Sequence, residues 1–376
     1  MPLNIVTSIA TFYLALKSFE WATLKRSNQL SNLKKIKKNL YIWESHPQIH
    51  HQNQNQNQNQ QNQNQNQQTQ NQSNSNLNLI WWSIWQITSL RGLRFDWSPK
   101  IPCQNYNQIY LLKRIFLTKL LGFITTALIV TIRDSKSSRS SLALLNLLHL
   151  PNNSILLNIF AELIYTLAFG IHVASSMDNK VTLIILLNHF LYKSCLHLSL
   201  PNPICDYLNP LHWPLFYHDP HLSSNLADFW GKRWHQILRQ VFKQGGKFFS
   251  KLASILDTSS NSQKIASLFG TFFFSALLHE YIFWTSLRPQ NSSFSTLFQI
   301  LPGSLIFFIL QPIGILLEPY LIPLIPKKLG GGTLWTGLFL LSTATLFRRH
   351  WISVGHYDHQ FPPLSNWNWK FILGTI

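Results

Sequence analysis

The chain has 376 residues, of which 46% are hydrophobic and only 12% are charged. Soluble proteins carry about 25% charged residues, so this composition excludes an ordinary soluble domain and indicates a membrane protein. The formal net charge of +18 raises the question of nucleic-acid binding. The basic residues lie between apolar runs, however, where they are typical of loops that face anionic lipid, and we predict no nucleic-acid partner.

The first predicted element is a transmembrane span in residues 1–22, whose apolar run covers residues 3–16. Basic residues follow this run, which predicts an uncleaved span with its C-terminal side in the cytosol. Residues 23–78 form a basic loop that contains a Gln/Asn tract at residues 52–72. Such a tract cannot bury a core, so we predict that it is disordered and assign no function to it.

Most of the chain after this loop consists of apolar runs. Residues 79–97 contain four Trp and two Arg, which favours an interfacial or partly re-entrant helix. About 20 residues cross the hydrocarbon core, and the candidate spans that follow are residues 110–132, 155–177, 181–200, 265–287, 301–321 and 333–347. Uniform apolar runs exclude the alternating pattern of barrel strands. We therefore predict an all-α, polytopic transmembrane helical bundle of about seven spans, with a tail at residues 348–376.

The three cysteines, Cys103, Cys195 and Cys205, are an odd number and contain no CxxC pair. This pattern supports neither a disulfide framework nor a zinc site. We predict that all three are ordinary buried or free thiols and that the chain holds no metal.

A second informative segment lies between the spans and reads LADFWGKRWHQILRQVFK. At about 100° per residue, residues 229–243 predict an amphipathic helix with Trp230 and Trp234 on its apolar side and Lys232 and Arg239 opposite. Such a helix is typical of the membrane interface. Six cations follow Asp228 without an intervening acid: Lys232, Arg233, Arg239, Lys243, Lys247 and Lys251. They indicate binding of either anionic lipid headgroups or a phosphorylated cosubstrate.

His279 lies inside the apolar run of residues 265–285. An ionisable side chain at membrane depth is costly unless it is paired or faces a cavity, which favours a functional role. Polar residues precede it at intervals of four and therefore share its helix face; they are Ser275, Thr271, Ser267 and Gln263. The alternative is a helix-packing seam, because Ser and Thr are common between transmembrane helices.

These elements together resemble the wax-synthase-like branch of the membrane-bound O-acyltransferase family. In that family an FW-x-x-RWH element precedes a hydrophobic helix with a near-invariant His, and FWGKRWH followed by FFFSALLHE fits this order. Arg91-Gly92-Leu93, Phe95 to Trp97 and Ile101-Pro102 resemble the family's RG-x-x-W element before an "IP". The resemblance covers residues 79–347, which we assign as the acyltransferase domain.

The resemblance implies that the protein transfers an acyl group from acyl-CoA to the hydroxyl of a hydrophobic alcohol, such as a terpenoid or a long-chain alcohol. It implies no permanently bound cofactor. It also implies that the protein lies in the endoplasmic reticulum membrane of a eukaryote, and the fungal members of the family favour a fungus. Neutral imidazole suits removal of the alcohol proton, so we predict His279 as general base. His235 is predicted as oxyanion donor or substrate orienter.

The remaining predicted site residues belong to the same segment. Arg233, with Lys232 and Arg239, is predicted to bind the CoA phosphates, and a loop ion pair or a lipid contact is the equal alternative for Arg233. Trp230 and Trp234 either contact substrate or anchor the helix in the interface. Two other classes of protein remain open. A transporter or channel would use the stripe of His279 as a permeation path, whereas an inactive relative would bind lipid without turnover.

Overall fold

The computed structural model describes residues 10–15, 106–135, 140–200, 202–235, 238–257, 259–286 and 303–353. All of them belong to one of two compact units, the one formed by Met1–Ala15 and Ile101–Ile376. The other unit, Leu16–Lys100, lies outside the described residues, and with it the Gln/Asn tract, the segment at residues 79–97 and most of the RG element. Of the predicted first span, residues 10–15 are described and are helical.

The described residues form helices and no strands, which confirms the predicted all-α class. Eight helices are numbered here in chain order: α1 (Gln108–Asp134), α2 (Ser140–Leu147), α3 (Ile155–His197), α4 (Asn202–Leu208), α5 (Arg239–Leu256), α6 (Ser260–Ser286), α7 (Gly303–Leu321) and α8 (Gly331–Ser353). Asn107 caps α1 and Ser154 caps α3, because each side-chain oxygen accepts a backbone N–H of the first turn.

The predicted spans at residues 155–177 and 181–200 are wrong as separate elements, because both lie in the single helix α3. Its 43 residues extend over about 64 Å at 1.5 Å per residue. The polar residues between the two apolar halves predict a loop, yet they contain neither Pro nor Gly. Their polar groups are satisfied within the fold: Asp178 binds Arg114, and the Asn179 amide donates to the Ile115 carbonyl at 3.2 Å. The helix therefore continues.

Four helical segments of the described chain are long and apolar enough to cross a membrane: Gln108–Asp134, Ile155–His197, Ser260–Phe283 and Gly303–Leu324. This result supports a polytopic membrane protein, but the predicted count of about seven spans is not confirmed. The predicted span at residues 333–347 lies within α8, which does not meet the same criteria.

The amphipathic helix predicted over residues 229–243 is broken. A helical turn at Leu226–Asp228 continues into a π-helical turn at Phe229–Arg233, and Trp234 then leaves the helix with ψ at 160°. A new helix, α5, begins at Arg239. The residues that the wheel placed on one helix are thus divided between two elements: Trp230 and Lys232 lie in the π-helical turn, and Arg239 lies in α5.

Helices α5 and α6 form an antiparallel hairpin with a short link at residues 257–259. Glycines allow their backbones to approach closely: a Cβ on Gly270 would lie 2.8 Å from the carbonyl oxygen of Gly245. A Cβ on Gly246 would lie 2.7 Å from the carbonyl oxygen of Ser267. Small residues at such crossings are typical of helix packing in membranes. Helix α5 therefore lies lengthwise against α6.

The prediction of free thiols is wrong for two of the three cysteines, because Cys195 and Cys205 form a disulfide. Cys195 lies in the last turn of α3 and Cys205 in α4, and the turn between the helices brings their Cα atoms to 5.6 Å. This separation is within the range that a disulfide spans. Sequence spacing carries no sign of that turn, so the pairing depends on the tertiary structure.

A buried ion pair joins α3 and α8. The Arg348 side chain on α8 is 1% exposed, binds the carboxylate of Glu162 on α3 and donates from Nε to the Thr166 hydroxyl at 3.1 Å. Its guanidinium also lies 4.3 Å from the ring centroid of Tyr165. Because these partners satisfy the charge, an arginine is tolerated inside an apolar core.

Candidate active site

The site begins with a loop at residues 213–219 that is attached to α1 and α3. Leu215 is buried in a cluster with Leu111 and Ile185. Arg114 and Asp178 form a bidentate ion pair beside this cluster, with N···O distances of 2.7 and 3.0 Å. The same guanidinium reaches the carbonyl oxygen of Tyr217 at 3.5 Å. Two spanning helices thereby determine where the chain enters the site.

The segment at residues 226–235, here called the FW segment, follows this loop. Asn225 caps its first turn by accepting the Asp228 N–H at 2.6 Å. Glu318 on α7 accepts the Leu226 N–H. A cavity of about 400 Å³ opens beside this end of the segment, and its lining includes Asn225, Ala227, Ile315 and Glu318.

The cations of the FW segment lie beside an acid. Arg233 Nε donates to the Asp228 carboxylate at 2.6 Å, and Arg233 also donates to the Asp219 carbonyl at 3.2 Å. Lys232 lies 4.0 Å from the same carboxylate and is 81% exposed. The Arg233 guanidinium therefore holds the loop to the segment, which is a structural role beside the predicted one.

Trp230 and Trp234 are partly buried against other parts of the protein. The Trp230 indole N–H donates to Gln311 Oε1 on α7 at 3.1 Å, and Gln311 is fully buried. The Trp230 ring contacts Phe272 of α6 and Phe307 and Phe308 of α7 at centroid distances of 5.8 to 6.2 Å. Trp230 therefore packs against α6 and α7, and the choice between substrate contact and interface anchoring stays a prediction for both tryptophans. The π-helical turn brings the two indoles to 6.0 Å of each other.

His235 ends the FW segment and is surrounded by rings. Its imidazole lies 5.2 Å from Phe216, 5.7 Å from Trp234 and 6.3 Å from Tyr217. Burial raises the pKa of Tyr217, so its hydroxyl stays protonated. The loop and the FW segment thus form one aromatic wall around His235.

His279 on α6 has a defined hydrogen bond. Its Nδ1 lies 2.7 Å from the backbone carbonyl oxygen of Ser275. A carbonyl oxygen only accepts, so Nδ1 carries the proton, and the lone pair of the neutral imidazole is on Nε2. Among the described residues, no hydrogen-bond partner of Nε2 is found. The ring packs against Phe308 at 4.5 Å and Phe347 at 5.5 Å.

One series of ring contacts connects the two predicted catalytic histidines. Phe308 touches both His279 and Trp230, Trp230 touches Trp234, and Trp234 touches His235. The structure thus gathers His279, His235, Trp230 and Trp234 around one aromatic cluster. Arg239 begins α5, whereas Lys232 is exposed on the FW segment.

The polar stripe below His279 serves partly as a packing seam. Ser267 and Thr271 contact Gly246 of α5, whereas Ser275 is buried and its carbonyl binds His279. The packing-seam interpretation therefore applies to Ser267 and Thr271, and the functional interpretation of His279 stays a prediction.

Two other groups near the spans have partners of their own. Glu280 lies 3.7 Å from His350 Nε2 of α8. His172 shares a hydrogen bond of 2.9 Å with the Thr126 hydroxyl between α1 and α3.

Sequence reasoning missed Gln311 and Glu318, which hold the FW segment from α7. Each is a polar residue in an apolar helix, and they are seven positions apart on one face. Polar residues inside a span face the bundle interior, so the sequence pattern alone could have predicted that Gln311 and Glu318 make internal contacts. Arg114 and Asp178 were missed because their pairing joins residues 64 positions apart.

Comparison with known proteins agrees with the motifs. Residues 213–310 match the sequence model of the membrane bound O-acyl transferase family. The chain is 25% identical to acetyltransferase ple2 of Rhodocybe pseudopiperita over 283 residues, which are 73% of this chain and 61% of that protein.

Plant relatives match over shorter regions. The chain is 37% identical to acyl-CoA–sterol O-acyltransferase 1 of Arabidopsis thaliana over 81 residues, 20% of this chain and 22% of that protein. It is 28% identical to a probable long-chain-alcohol O-fatty-acyltransferase 8 of the same plant over 89 residues, 23% of this chain and 26% of the relative. No solved structure matches the chain. The resemblance to membrane-bound O-acyltransferases is therefore confirmed over residues 213–310, which contain both FWGKRWH and FFFSALLHE.

Proposed function

We propose that this protein transfers an acyl group from acyl-CoA to the hydroxyl of a hydrophobic alcohol. The observation that carries the proposal is the bond from His279 Nδ1 to the Ser275 carbonyl, which leaves Nε2 as a base at membrane depth. The match to the membrane-bound O-acyltransferases supports the reaction type. The chain spans 61% of ple2 and about a quarter of the plant relatives, so the activity of the whole protein is part of the proposal.

In the proposed reaction, His279 Nε2 removes the proton of the alcohol as its oxygen attacks the thioester carbonyl. The carbonyl oxygen becomes an oxyanion, and His235 donates a hydrogen bond to it. The tetrahedral intermediate then collapses: the carbon–sulfur bond breaks, the CoA thiolate leaves, and the His279 imidazolium returns the proton to it. The products are an ester and free CoA, and His279 is neutral again.

The aromatic cluster has a role in this mechanism because it excludes water. Trp230 and Trp234 would line the path of the acyl group, and a dry site protects the thioester from hydrolysis. Arg239, with Lys232 and Arg233, would supply positive charge for the CoA phosphates. The helical bundle lets a soluble acyl-CoA and a lipid-soluble alcohol meet, and holding both in line lowers the entropic part of the barrier.

For the substrates, we favour an acetyl group and a terpenoid-like alcohol. Two fungal relatives, ple2 and eriL of Hericium erinaceus, are named acetyltransferases. Plant relatives are named for long-chain alcohols and for sterol, which makes a fatty-acyl ester of such an alcohol the second candidate. We place the protein in the endoplasmic reticulum membrane of a fungal cell.

The proposal is tested with microsomes, radiolabelled acetyl-CoA or palmitoyl-CoA, and a panel of terpenoid, sterol and long-chain alcohols. Loss of the base should lower ester formation by His279→Ala by roughly 10²- to 10⁴-fold. The matched control is His197→Ala, an exposed histidine at the end of α3, which should keep its activity. Full activity of His279→Ala would remove the proposed base. No ester from any acceptor would favour a transporter or an inactive lipid-binding relative.

His235→Ala tests the second residue in the same assay. Removal of one oxyanion donor is expected to lower kcat by roughly 10²- to 10³-fold with normal membrane insertion. If insertion falls and the activity per inserted molecule does not, the FW segment is an anchor and His235 is not part of the site.

A further inference from the structure

Four cations recur at every fourth position of α5: Arg239, Lys243, Lys247 and Lys251. They are called the α5 ladder here. Successive members are about 6 Å apart along the helix axis, so the ladder extends over about 18 Å. Like charges four residues apart destabilise a helix, so this regular spacing carries a cost in the absence of an anion.

The ladder differs from the cations of the FW segment in its partners. Lys232 and Arg233 share the Asp228 carboxylate. No ion pair joins a ladder residue to any carboxylate of the described chain. Lys243, Lys247 and Lys251 are exposed, and Arg239 is partly buried. Partial desolvation by neighbouring protein atoms, and then the charges of Arg239 and Lys247, lower the pKa of Lys243. The ladder is therefore a surface that an anion would stabilise.

The hairpin contacts define the level of the ladder along α6. Gly245 lies against Phe274 and Gly270, and the two helices are antiparallel. Arg239 is six residues before Gly245, which is about 9 Å along the axis of α5. His279 is five residues after Phe274, which is about 7.5 Å along α6. Because the helices are antiparallel, these two displacements have the same direction. Arg239 therefore lies near the level of His279, and Lys251 lies near the link between the helices.

Helical periodicity also defines the side of the hairpin. Each helix turns by about 100° per residue, counted from the glycine contacts between α5 and α6. By this count, Arg239 and Lys243 of α5 project on the same side of the hairpin as Ser275 and His279 of α6. Lys247 and Lys251 then turn progressively away from α6. A charged path thus leads from the link between α5 and α6 to the level of the proposed base.

We infer that the α5 ladder binds the phosphorylated nucleotide end of acyl-CoA, with the phosphates along Lys243, Lys247 and Lys251 and the thioester directed past Arg239 towards His279. This inference rests on the proposed function, but it moves the main phosphate contacts from Lys232 and Arg233 to the ladder. It also adds the direction in which the cosubstrate lies. Acyl-CoA fits the ladder because its charge is concentrated at one end and its reactive group lies at the other. Several cations that meet phosphate oxygens form strong, charge-assisted hydrogen bonds.

An anionic bilayer surface fits less well. Lipid headgroups form a layer, whereas the ladder runs along α6, a candidate span, so its charges stand at successive depths. The other exposed edge of α5 is apolar and suits acyl chains; it consists of Phe248, Leu252 and Ile255. Charged side chains beside a span face a water-filled or ligand-filled space, which agrees with a cosubstrate path.

The test compares two acyl donors with the full-length protein in neutral-lipid vesicles. One donor is acetyl-CoA, and the other is S-acetylpantetheine, which lacks the phosphates. Lys247→Gln/Lys251→Gln should raise KM for acetyl-CoA about tenfold, because two charge-assisted contacts are lost, and should change KM for S-acetylpantetheine less than twofold. Lys247→Arg/Lys251→Arg should restore KM for acetyl-CoA. The control, Lys328→Gln, removes an exposed cation outside α5 and should change neither constant.

Three results would overturn the inference: an unchanged KM for acetyl-CoA, an equal rise for both donors, or a rise that occurs only in vesicles that contain phosphatidylserine. The last result would assign the ladder to lipid headgroups. Equilibrium dialysis with 3′,5′-ADP separates this inference from the proposed function, since it needs no turnover. Weaker binding by the Gln variant supports the ladder even if no ester is formed, whereas equal binding contradicts it even if the enzyme is active.

Discussion

The hydrogen bond between His279 and Ser275 determines which nitrogen of the imidazole is available as a base. A helix places the carbonyl of residue i−4 directly below the side chain of residue i, so the partner of Nδ1 comes from the same helix. The tautomer is thereby independent of a neighbouring acid, and Glu280 pairs with His350 instead. The chemistry of this residue is therefore largely encoded within one turn of α6.

Lys243 carries a pH prediction of its own. Its pKa is lowered, chiefly by burial and then by Arg239 and Lys247, so it loses its charge at a lower pH than an ordinary lysine. We expect KM for acetyl-CoA to rise as the pH increases through this pKa. Lys247→Gln removes one like charge, raises the pKa of Lys243, and should shift this rise to higher pH.

The measurement is KM for acetyl-CoA between roughly pH 7 and pH 11, which brackets ordinary and lowered lysine pKa values. Lys328→Gln is the control and should leave the profile in place. If the pH at which KM rises is unchanged or lower in Lys247→Gln, the rise does not report the charge of Lys243.

The FW segment shows why a helical wheel has limits. A wheel assumes a constant turn per residue, whereas the Trp234 N–H bonds to the Phe229 carbonyl, five residues back, at 2.8 Å. The wider turn changes the phase of every residue after it. Packing of Trp230 onto α7 and the bond between Arg233 and Asp228 stabilise this geometry. Helix α5 is amphipathic, but of the predicted segment only residues 239–243 belong to it.

The hairpin of α5 and α6 depends on Gly270. A Cβ at this position would lie 2.7 Å from the Phe249 Cβ and 2.8 Å from the Gly245 carbonyl oxygen, so Gly270→Ala forces the helices apart. We expect a loss of about 1–3 kcal/mol in the free energy of unfolding and a higher KM for acetyl-CoA, because the ladder moves relative to His279.

Thermal unfolding in detergent and steady-state kinetics check this prediction. The matched control is Gly337→Ala in α8, where a Cβ meets nothing within 4 Å. It should be neutral or slightly stabilising, because alanine favours a helix over glycine by up to about 1 kcal/mol. Equal melting temperatures of the two variants would show that the hairpin tolerates a wider spacing.

The molecule as a whole places the site where three parts of the bundle meet. The α1–α3 pair holds the loop at residues 213–219, α7 holds the FW segment through Gln311 and Glu318, and α6 supplies His279. Each part contributes through a polar contact inside an apolar environment. The position of His235 relative to His279 is therefore a property of the assembled bundle.

The ion pair of Arg114 and Asp178 tests this dependence. Asp178→Asn leaves the guanidinium without its charged partner in a largely buried place, and we expect a loss of roughly 3 kcal/mol in stability. Activity should fall as well, since Arg114 also reaches the Tyr217 carbonyl beside His235. Replacing both residues with Leu should cost less stability than Asp178→Asn alone, because no uncompensated charge remains.

Melting temperatures and ester formation of wild type, Asp178→Leu, Arg114→Leu and the double Leu variant form a double-mutant cycle. Strict additivity of the two substitutions would mean that the pair is not coupled. Recovery of stability without recovery of activity is the expected signature of a pair that also positions the loop.

By itself, the sequence determined the all-α class, the approximate bounds of α1, α6 and α7, and the residues of the two motifs. These features depend on local sequence. Apolar runs of sufficient length form helices in lipid, and the family motif identifies FWGKRWH and His279. The tertiary structure decided the continuity of α3, the break at Trp234, the disulfide and the contacts of Gln311, Glu318, Arg114 and Asp178. Each of these depends on partners far apart in the chain, and a local pattern contains no information about which distant group will satisfy a buried polar atom.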